Sequence, residues 1–322
     1  MKSKATILGI DVGGTTIKFG VVKNNKIIFE YMLPTLAYEN PGKVLSQLNI
    51  GVKKIFEVYK KSDFIGIGIG FPGKVDIETG IVTSAPNFRN WKKIQVRKSL
   101  ESYKLPIFID NDANCAALGE LYFGSGNNLE NFIMVTLGTG VGGGIIINKK
   151  LFRGESGGAG EIGHITIDYS GPKCKCGKHG CVEAYAGNNY IKQRTIQKLN
   201  EYPDSLILKL VDHNLEAIEP KIINEAAKKG DELAIKILKE TGYYIGIGLA
   251  NIANTLDIKT FIIGGGTSGA GKTLLDAIKQ SIKNHGIHDI VRDVRVIQAR
   301  LKNKSGIFGA ASLVLSSQLY QK

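Results

Sequence analysis

The chain has 322 residues, 43% of them apolar, and a formal net charge of +13. That length argues softly for two domains and supplies ample apolar surface for a core. No apolar run reaches the ~20 residues of a membrane span, so no membrane role is expected. The positive excess is scattered over lysine doublets (Lys53–Lys54, Lys60–Lys61, Lys92–Lys93, Lys149–Lys150, Lys228–Lys229) without interleaved aromatics, which argues against a nucleic-acid partner.

The opening MKSKATILGIDVGG lacks the apolar stretch and small-residue cleavage site of a signal peptide. A motif begins almost at once. The expectation is a cytoplasmic chain with no targeting segment and no DNA-binding module ahead of Ile7. Ile7–Val22 then runs from β-branched residues through a glycine turn into a second β-branched run. That is a hairpin, not a strand feeding a helix. Ile27–Phe29 is a third apolar stretch. Val44, Leu48, Val52, Ile55, Phe56 and Tyr59 recur at helical spacing and predict a helix over Lys43–Lys61. Phe64–Phe71 and Pro106–Ile109 read as buried strands, and Ala113–Phe123 as a helix. Phe132–Asn148 repeats the hairpin, with Leu151–Phe152 as its third stretch. A loop-rich segment runs to about Gly187. Helices are predicted over Asp231–Leu256, Leu274–Lys283 and Ser305–Ser317, with a strand over Lys259–Ile263. Alternation of this kind belongs to the α/β class.

Three glycine patterns compete for nucleotide chemistry. Gly68-x-Gly70-x-x-Gly73 and Gly138-x-Gly140-x-x-Gly143 fit the dinucleotide fingerprint, but neither leads from a strand into a helix. Gly266–Thr273 satisfies the Walker A pattern, with a strand before it and a helix after; too little chain follows it for the rest of a P-loop domain. The hairpin turns have a phosphate chemistry of their own. Glycine lets backbone N–H groups approach phosphate oxygens. Thr15, Thr16 and Thr139 add hydroxyls, and Asp11 at a strand end is placed for a hydrated Mg²⁺.

Cys174, Cys176 and Cys181 lie within eight residues. In a reducing compartment that spacing points to a soft cation rather than a disulfide. One histidine completes a closed Cys₃His site, structural in kind. On spacing alone His179, inside the cluster, competes with His164. Cys115 reads as a small core residue. Asp110 and Asp112 stand where a strand meets a helix, and Asp112 could equally be the cap of that helix.

DVGGT (Asp11–Thr15), GTGVGGG (Gly138–Gly144) and IIGGG (Ile262–Gly266) resemble the two phosphate loops and the adenosine loop of the actin/hexokinase-like ATPase superfamily. Gly160-Glu161-Ile-Gly163-His164 and Cys174-Lys-Cys176-Gly-Lys-His-Gly-Cys181-Val-Glu183 resemble the two signature motifs of the ROK family of bacterial sugar kinases and related repressors. The resemblance implies an α/β fold of two ribonuclease-H-like (actin/hexokinase-like) domains with an interdomain cleft. Residues 1–115 with about 301–322 would form the smaller domain, and 116–300 the larger one carrying the zinc loop. ATP would lie on Asp11, Gly13, Gly14, Thr15, Thr16, Lys18, Gly138, Thr139 and Gly140, with its adenosine near Gly264, Gly265 and Gly266. Zn²⁺ would be held by His164, Cys174, Cys176 and Cys181, and Mg²⁺ would accompany ATP.

By the same resemblance Asp112 is the general base, with Asp110 its rival. Gly73, Asn87, Asn111, Asp112, Glu161, His164 and Glu183 are the expected sugar contacts. The implied activity is phosphorylation of a hexose at its 6-hydroxyl, with glucose the first expectation and N-acetylmannosamine, another N-acetylhexosamine or another hexose as alternatives. A polyphosphate donor is a further alternative, against which the zinc motif argues. A sugar-sensing repressor is the reading from outside the enzyme class. A homodimer or homotetramer is implied.

Overall fold

The computed structural model describes residues 5–85 and 88–320. In chain order the strands are β1 (Thr6–Val12), β2 (Thr16–Lys23), β3 (Lys26–Pro34), β4 (Phe64–Phe71), β5 (Lys74–Asp76), β6 (Ile81–Ser84), β7 (Lys92–Gln95), β8 (Ile107–Asn111), β9 (Phe132–Leu137), β10 (Val141–Ile147), β11 (Lys150–Phe152), β12 (Thr260–Gly264) and β13 (Arg295–Gln298). The helices are α1 (Pro41–Val58), α2 (Asp112–Phe123), α3 (Glu183–Ala186), α4 (Asn188–Leu199), α5 (Leu206–Leu210), α6 (Pro220–Lys228), α7 (Glu232–Leu256), α8 (Lys272–His285), α9 (His288–Val291) and α10 (Ser305–Tyr320).

Each hairpin heads a five-stranded sheet, and the two sheets follow one plan. The first has the order β3-β2-β1-β4-β8 and the second β11-β10-β9-β12-β13. In the first, β2 and β3 run antiparallel while β4 and β8 run parallel to β1. In the second, β11 is antiparallel to β10, and β12 is parallel to β9 and β13. Parallel register aligns Asp11 with Gly70, and Gly70 with Asp110. The strand ends therefore bring the candidate residues of β1 and β8 to one edge, the usual place for ligands in open α/β sheets.

The Ile/Gly alternation of β4 explains a misleading motif. Ile67 and Ile69 pack into a core shared with Phe19 and with Val44, Leu48, Val52 and Ile55 of α1. Their neighbours Gly66, Gly68 and Gly70 face the other way, toward Val314, Ala310 and Cys115. A Cβ at Gly68 would collide with the carbonyl of Ala310. The period-2 alternation of a strand thus puts branched side chains under α1 and bare backbone against α10 and α2. Gly68 and Gly70 of the first GxGxxG pattern are packing chemistry.

α1 is capped by Asn40, whose side chain accepts from Lys43 N–H, and it starts at Pro41, two residues before the predicted start. The small antiparallel sheet β5-β6-β7 and the helices α4, α5 and α6 were not predicted. The three strands are only three or four residues long, too short for a period to register. α4 buries only Ile191, Thr195 and Leu199.

By packing, the chain divides into Met1–Leu129 with Gly144–Ala159 and Asn303–Lys322, and Glu130–Gly143 with Gly160–Lys302. This differs from the expected boundary at residue 115, which falls inside α2. α2 stays whole with the first unit because Gly309 of α10 lies against the backbone of Cys115. Residues 144–159 join that unit because Gly144 packs on Ala117 and Arg153 pairs with Asp110. Among the described residues no helix is long and apolar enough to cross a membrane.

Candidate active site

The first hairpin closes through a three-residue turn, Gly13–Thr15. Gly13 N–H donates to Thr16 O at 3.0 Å. Thr35 braces the turn from behind: its hydroxyl donates to Gly13 O at 2.6 Å and its N–H to Thr15 O at 2.9 Å. Carbonyls are thereby engaged, while the amides of Gly14 and Thr15 make no backbone hydrogen bond among the described residues. Such a turn presents donors to an anion. Asp11 lies across the strand pair from Lys18, at 3.9 Å. Burial raises its carboxyl above the ordinary value, and Lys18 partly opposes that shift. Thr35 carried no motif, and sequence reasoning missed it.

At the end of β8 the two rival carboxylates differ sharply. Asp110 is buried and fully engaged. One oxygen accepts from Arg153 Nε at 2.8 Å, and the other from Asn114 Nδ2 at 2.9 Å and Asn111 N–H at 2.7 Å. Arg153 was likewise missed. Asp112 is exposed at the first position of α2. The helix cap is Asn111 rather than Asp112: its Oδ1 accepts from Ala113 N–H at 2.8 Å and Asn114 N–H at 3.3 Å. Asp112 Oδ1 also accepts from Ala113 N–H, at 2.9 Å. The Asn111 amide donates to Gly73 O at 3.0 Å, tying the loop after β4 to the start of α2. Gly73 has φ +99°, a conformation that favours glycine. Asn87 lies outside the described residues.

The second hairpin also closes through three residues, Gly138–Gly140, with Gly138 N–H donating to Gly140 O at 3.0 Å. The amides of Thr139 and Gly140 make no backbone hydrogen bond among the described residues. Here the bracing comes from far along the chain. Glu183 Oε2 accepts from Val141 N–H at 3.0 Å, and Asn188 N–H donates to Gly138 O at 3.0 Å.

His164, Cys174, Cys176 and Cys181 converge, with ligand atoms all within 4.8 Å of one another. Cys174 Sγ lies 3.8 Å from His164 Nδ1, and Cys176 Sγ lies 3.7 Å from Cys181 Sγ. A tetrahedral site with Zn–S near 2.3 Å has edges of about 3.8 Å, so the donor set fits Zn²⁺. Burial pushes the Cys174 thiol up to about 12 and raises Cys181, whereas the Lys178 backbone N–H lowers Cys176. A cation at the centre would displace these protons. His179 is exposed, with Nδ1 3.2 Å from Gly171 O, and takes no part in the cluster. With Nδ1 turned to the thiols, His164 Nε2 lies 3.9 Å from Glu161 Oε2.

Gly264–Gly266 ends β12 and enters a short 3₁₀ turn, Gly266–Ala270. Thr267 Oγ1 donates to Asn188 Oδ1 at 2.9 Å, and Gln298 Nε2 to Ser268 O at 3.0 Å. The amides of Ser268 and Gly271 donate to local carbonyls at 3.2 and 3.1 Å. Lys272 and Thr273 line a cavity of about 1090 Å³ with Arg194, Tyr243 and Tyr244. The Walker-like string therefore builds a short 3₁₀ turn that leads into α8.

Two sheets of one plan, each headed by a three-residue glycine turn, define an actin/hexokinase-like fold. The ROK family model matches residues 7–317, and the chain belongs to that family. Glucokinase from Halalkalibacterium halodurans is 37% identical over 313 residues, which span 95% of this chain and 94% of that protein. The xylose repressor of Caldicellulosiruptor bescii is 32% identical over 99% of this chain and 80% of its own length. The crystal structure of a ROK family glucokinase from Streptomyces griseus, in complex with glucose and AMPPNP, superposes with a TM-score of 0.85 at 36% identity, covering 97% of this chain and all of that one.

Proposed function

We propose that this chain is an ATP-dependent hexose kinase that phosphorylates the 6-hydroxyl, with glucose its principal acceptor. The reading is supported by full-length likeness to glucokinases, one of them holding glucose and an ATP analogue. The observation that carries the assignment of roles is the division of labour at the end of β8: Asp110 is tied into a buried ion pair, and Asp112 is exposed at the start of a helix. A sugar hydroxyl is a weak nucleophile at neutral pH. Asp112 orients it and accepts its proton as the γ-phosphoryl departs. Asn111, already joined to Gly73, is assigned to the sugar. Glu161, His164 and Glu183 are assigned to the same ligand.

The open amides of Gly14, Thr15, Thr139 and Gly140 receive the phosphates of ATP. Asp11 would hold Mg²⁺, which would supply charge neutralisation at the transferring phosphoryl group. Zn²⁺ on His164, Cys174, Cys176 and Cys181 is structural. Clustered thiols suited to a metal fit a cytoplasmic setting. A homodimer or homotetramer is the expected assembly.

A coupled assay with Mg·ATP across glucose, mannose, fructose, N-acetylglucosamine and N-acetylmannosamine tests the activity; turnover of none of them overturns it. Asp112→Asn should lower kcat by roughly 10²- to 10⁴-fold with the fold intact. Asp110→Asn should instead lower the melting temperature, because it leaves the Arg153 cation without its carboxylate. The likeness to xylose repressors favours a second reading, a sugar-responsive regulator. Sugar binding without phosphoryl transfer would select it.

A further inference from the structure

The turn of the second hairpin is held by the segments that flank the zinc ligands. Immediately before His164, Gly163 packs against the Val141 carbonyl, and Ile162 with Gly160 O packs on Gly143. Two residues after Cys181, the Glu183 carboxylate accepts the Val141 N–H at 3.0 Å. Gly140 lies so close to that carboxylate that a Cβ there would collide with it. Asn188 then donates to Gly138 O at 3.0 Å. The two flanks are also stitched to each other, Val182 N–H donating to Ile165 O at 3.0 Å and Ile167 N–H to Gly180 O at 2.8 Å. One ion bound by His164 and the three cysteines would pin both flanks at once.

We infer that Glu183 is a positioning residue for the nucleotide: it couples the zinc module to the phosphate-binding turn, so that metal occupancy sets affinity for ATP and not only the shape of the sugar pocket. The inference rests on the kinase reading for its ligand, but its structural part stands apart from it. A carboxylate oxygen on Val141 N–H fixes where the turn reverses, and hence where the Thr139 and Gly140 amides point. A cross-link closing residues 164 to 181 restricts the open forms of that clasp.

The test compares zinc-loaded wild type, chelator-stripped wild type, Glu183→Ala and Glu183→Gln, with zinc content measured in each. Binding of Mg·AMPPNP is measured without sugar, and amide exchange is followed over residues 138–143 and 13–15. Glu183→Ala is expected to retain zinc, to bind the nucleotide roughly 10-fold more weakly and to exchange faster at Val141. Glu183→Gln should recover most of both, because its amide oxygen accepts the same N–H. Stripping zinc from wild type should loosen 138–143 and leave 13–15 unchanged. Zinc-loaded Glu183→Ala with wild-type nucleotide affinity and unchanged Val141 protection would overturn the inference and leave Glu183 a sugar contact alone. If the alanine variant fails to fold, the wild-type comparison decides: equal exchange at 138–143 with and without zinc overturns it. If wild type binds no nucleotide, the kinase reading fails, while the exchange data still report whether zinc and Glu183 hold the turn.

Discussion

The two hairpins share loop length, a closing bond from their first glycine and a pair of amides left open toward an anion, yet they are stabilised from different distances. Gly13–Thr15 is braced by Thr35, which follows directly on the third strand of the same meander. Gly138–Gly140 is braced by Glu183 and Asn188, more than forty residues along the chain and beyond the thiol cluster. One glycine turn is a local product of its own sheet. The other is assembled only when a distant loop has formed, and so can respond to what that loop binds. The strand–turn–strand unit recurs without its support.

The largest effect expected from probing this contrast is at Asp11. Asp11→Asn should lower activity roughly 10- to 100-fold, the range for a residue orienting a metal-bound group. Stability should move the other way. Burial holds the Asp11 carboxyl above its ordinary 3.8. The folded chain therefore keeps that proton more tightly than the unfolded chain. This contribution favours folding at low pH and declines as pH rises from 3.8 through the raised value. At neutral pH the buried charge is a cost that the variant removes. Its melting temperature should exceed that of wild type at neutral pH, with the gap closing in acid. A variant less stable at neutral pH would show that Lys18 outweighs burial.

Next in size is a pair in the second turn. Gly140→Ala should cost about 1 kcal/mol of stability, because its Cβ would push the end of the Glu183 side chain off the Val141 N–H. Gly138→Ala has no atom within 4 Å of its Cβ and should be tolerated by the fold. Equal melting temperatures for the two variants would remove the claim that Glu183 supports this turn. Thr35→Val deletes the hydroxyl bond to Gly13 O and should cost about 1 kcal/mol. It should raise KM for ATP and leave exchange at 138–143 as in wild type; loosening of both turns would mean that they are supported together. Smallest of all is Lys272→Ala, expected within about 0.5 kcal/mol of wild type in stability. Its kcat/KM should be unchanged, because Lys272 faces the cavity with Tyr243 and not a phosphate loop. A loss approaching that of Asp112→Asn would restore the Walker reading.

Much of this was legible beforehand because the signals are local. Strand–glycine–strand appears in consecutive residues, as do the thiol spacing of Cys174–Cys181 and the helical period of α1 and α7. The elements missed carry little periodic signal. β5–β7 are too short to show a period, and polar α4 buries too narrow a stripe. Gly68 and Gly70 of β4 fit a fingerprint whose strand-to-helix context is missing, and what they pack against lies in α10 and α2.

What the residues determined by themselves was the chemistry on offer: two anion-binding turns, a closed metal-ligand set and two carboxylates at a strand end. All of these depend on neighbours in sequence, where spacing alone constrains geometry. The motif resemblance had named His164 and Asp112, and the tertiary structure gave those residues their surroundings. It buried Asp110 against Arg153 and left Asp112 exposed, and chose His164 over His179 for the thiol cluster. It also gave each glycine turn a different support. Those choices turn on contacts between residues far apart in the chain, which no local spacing encodes.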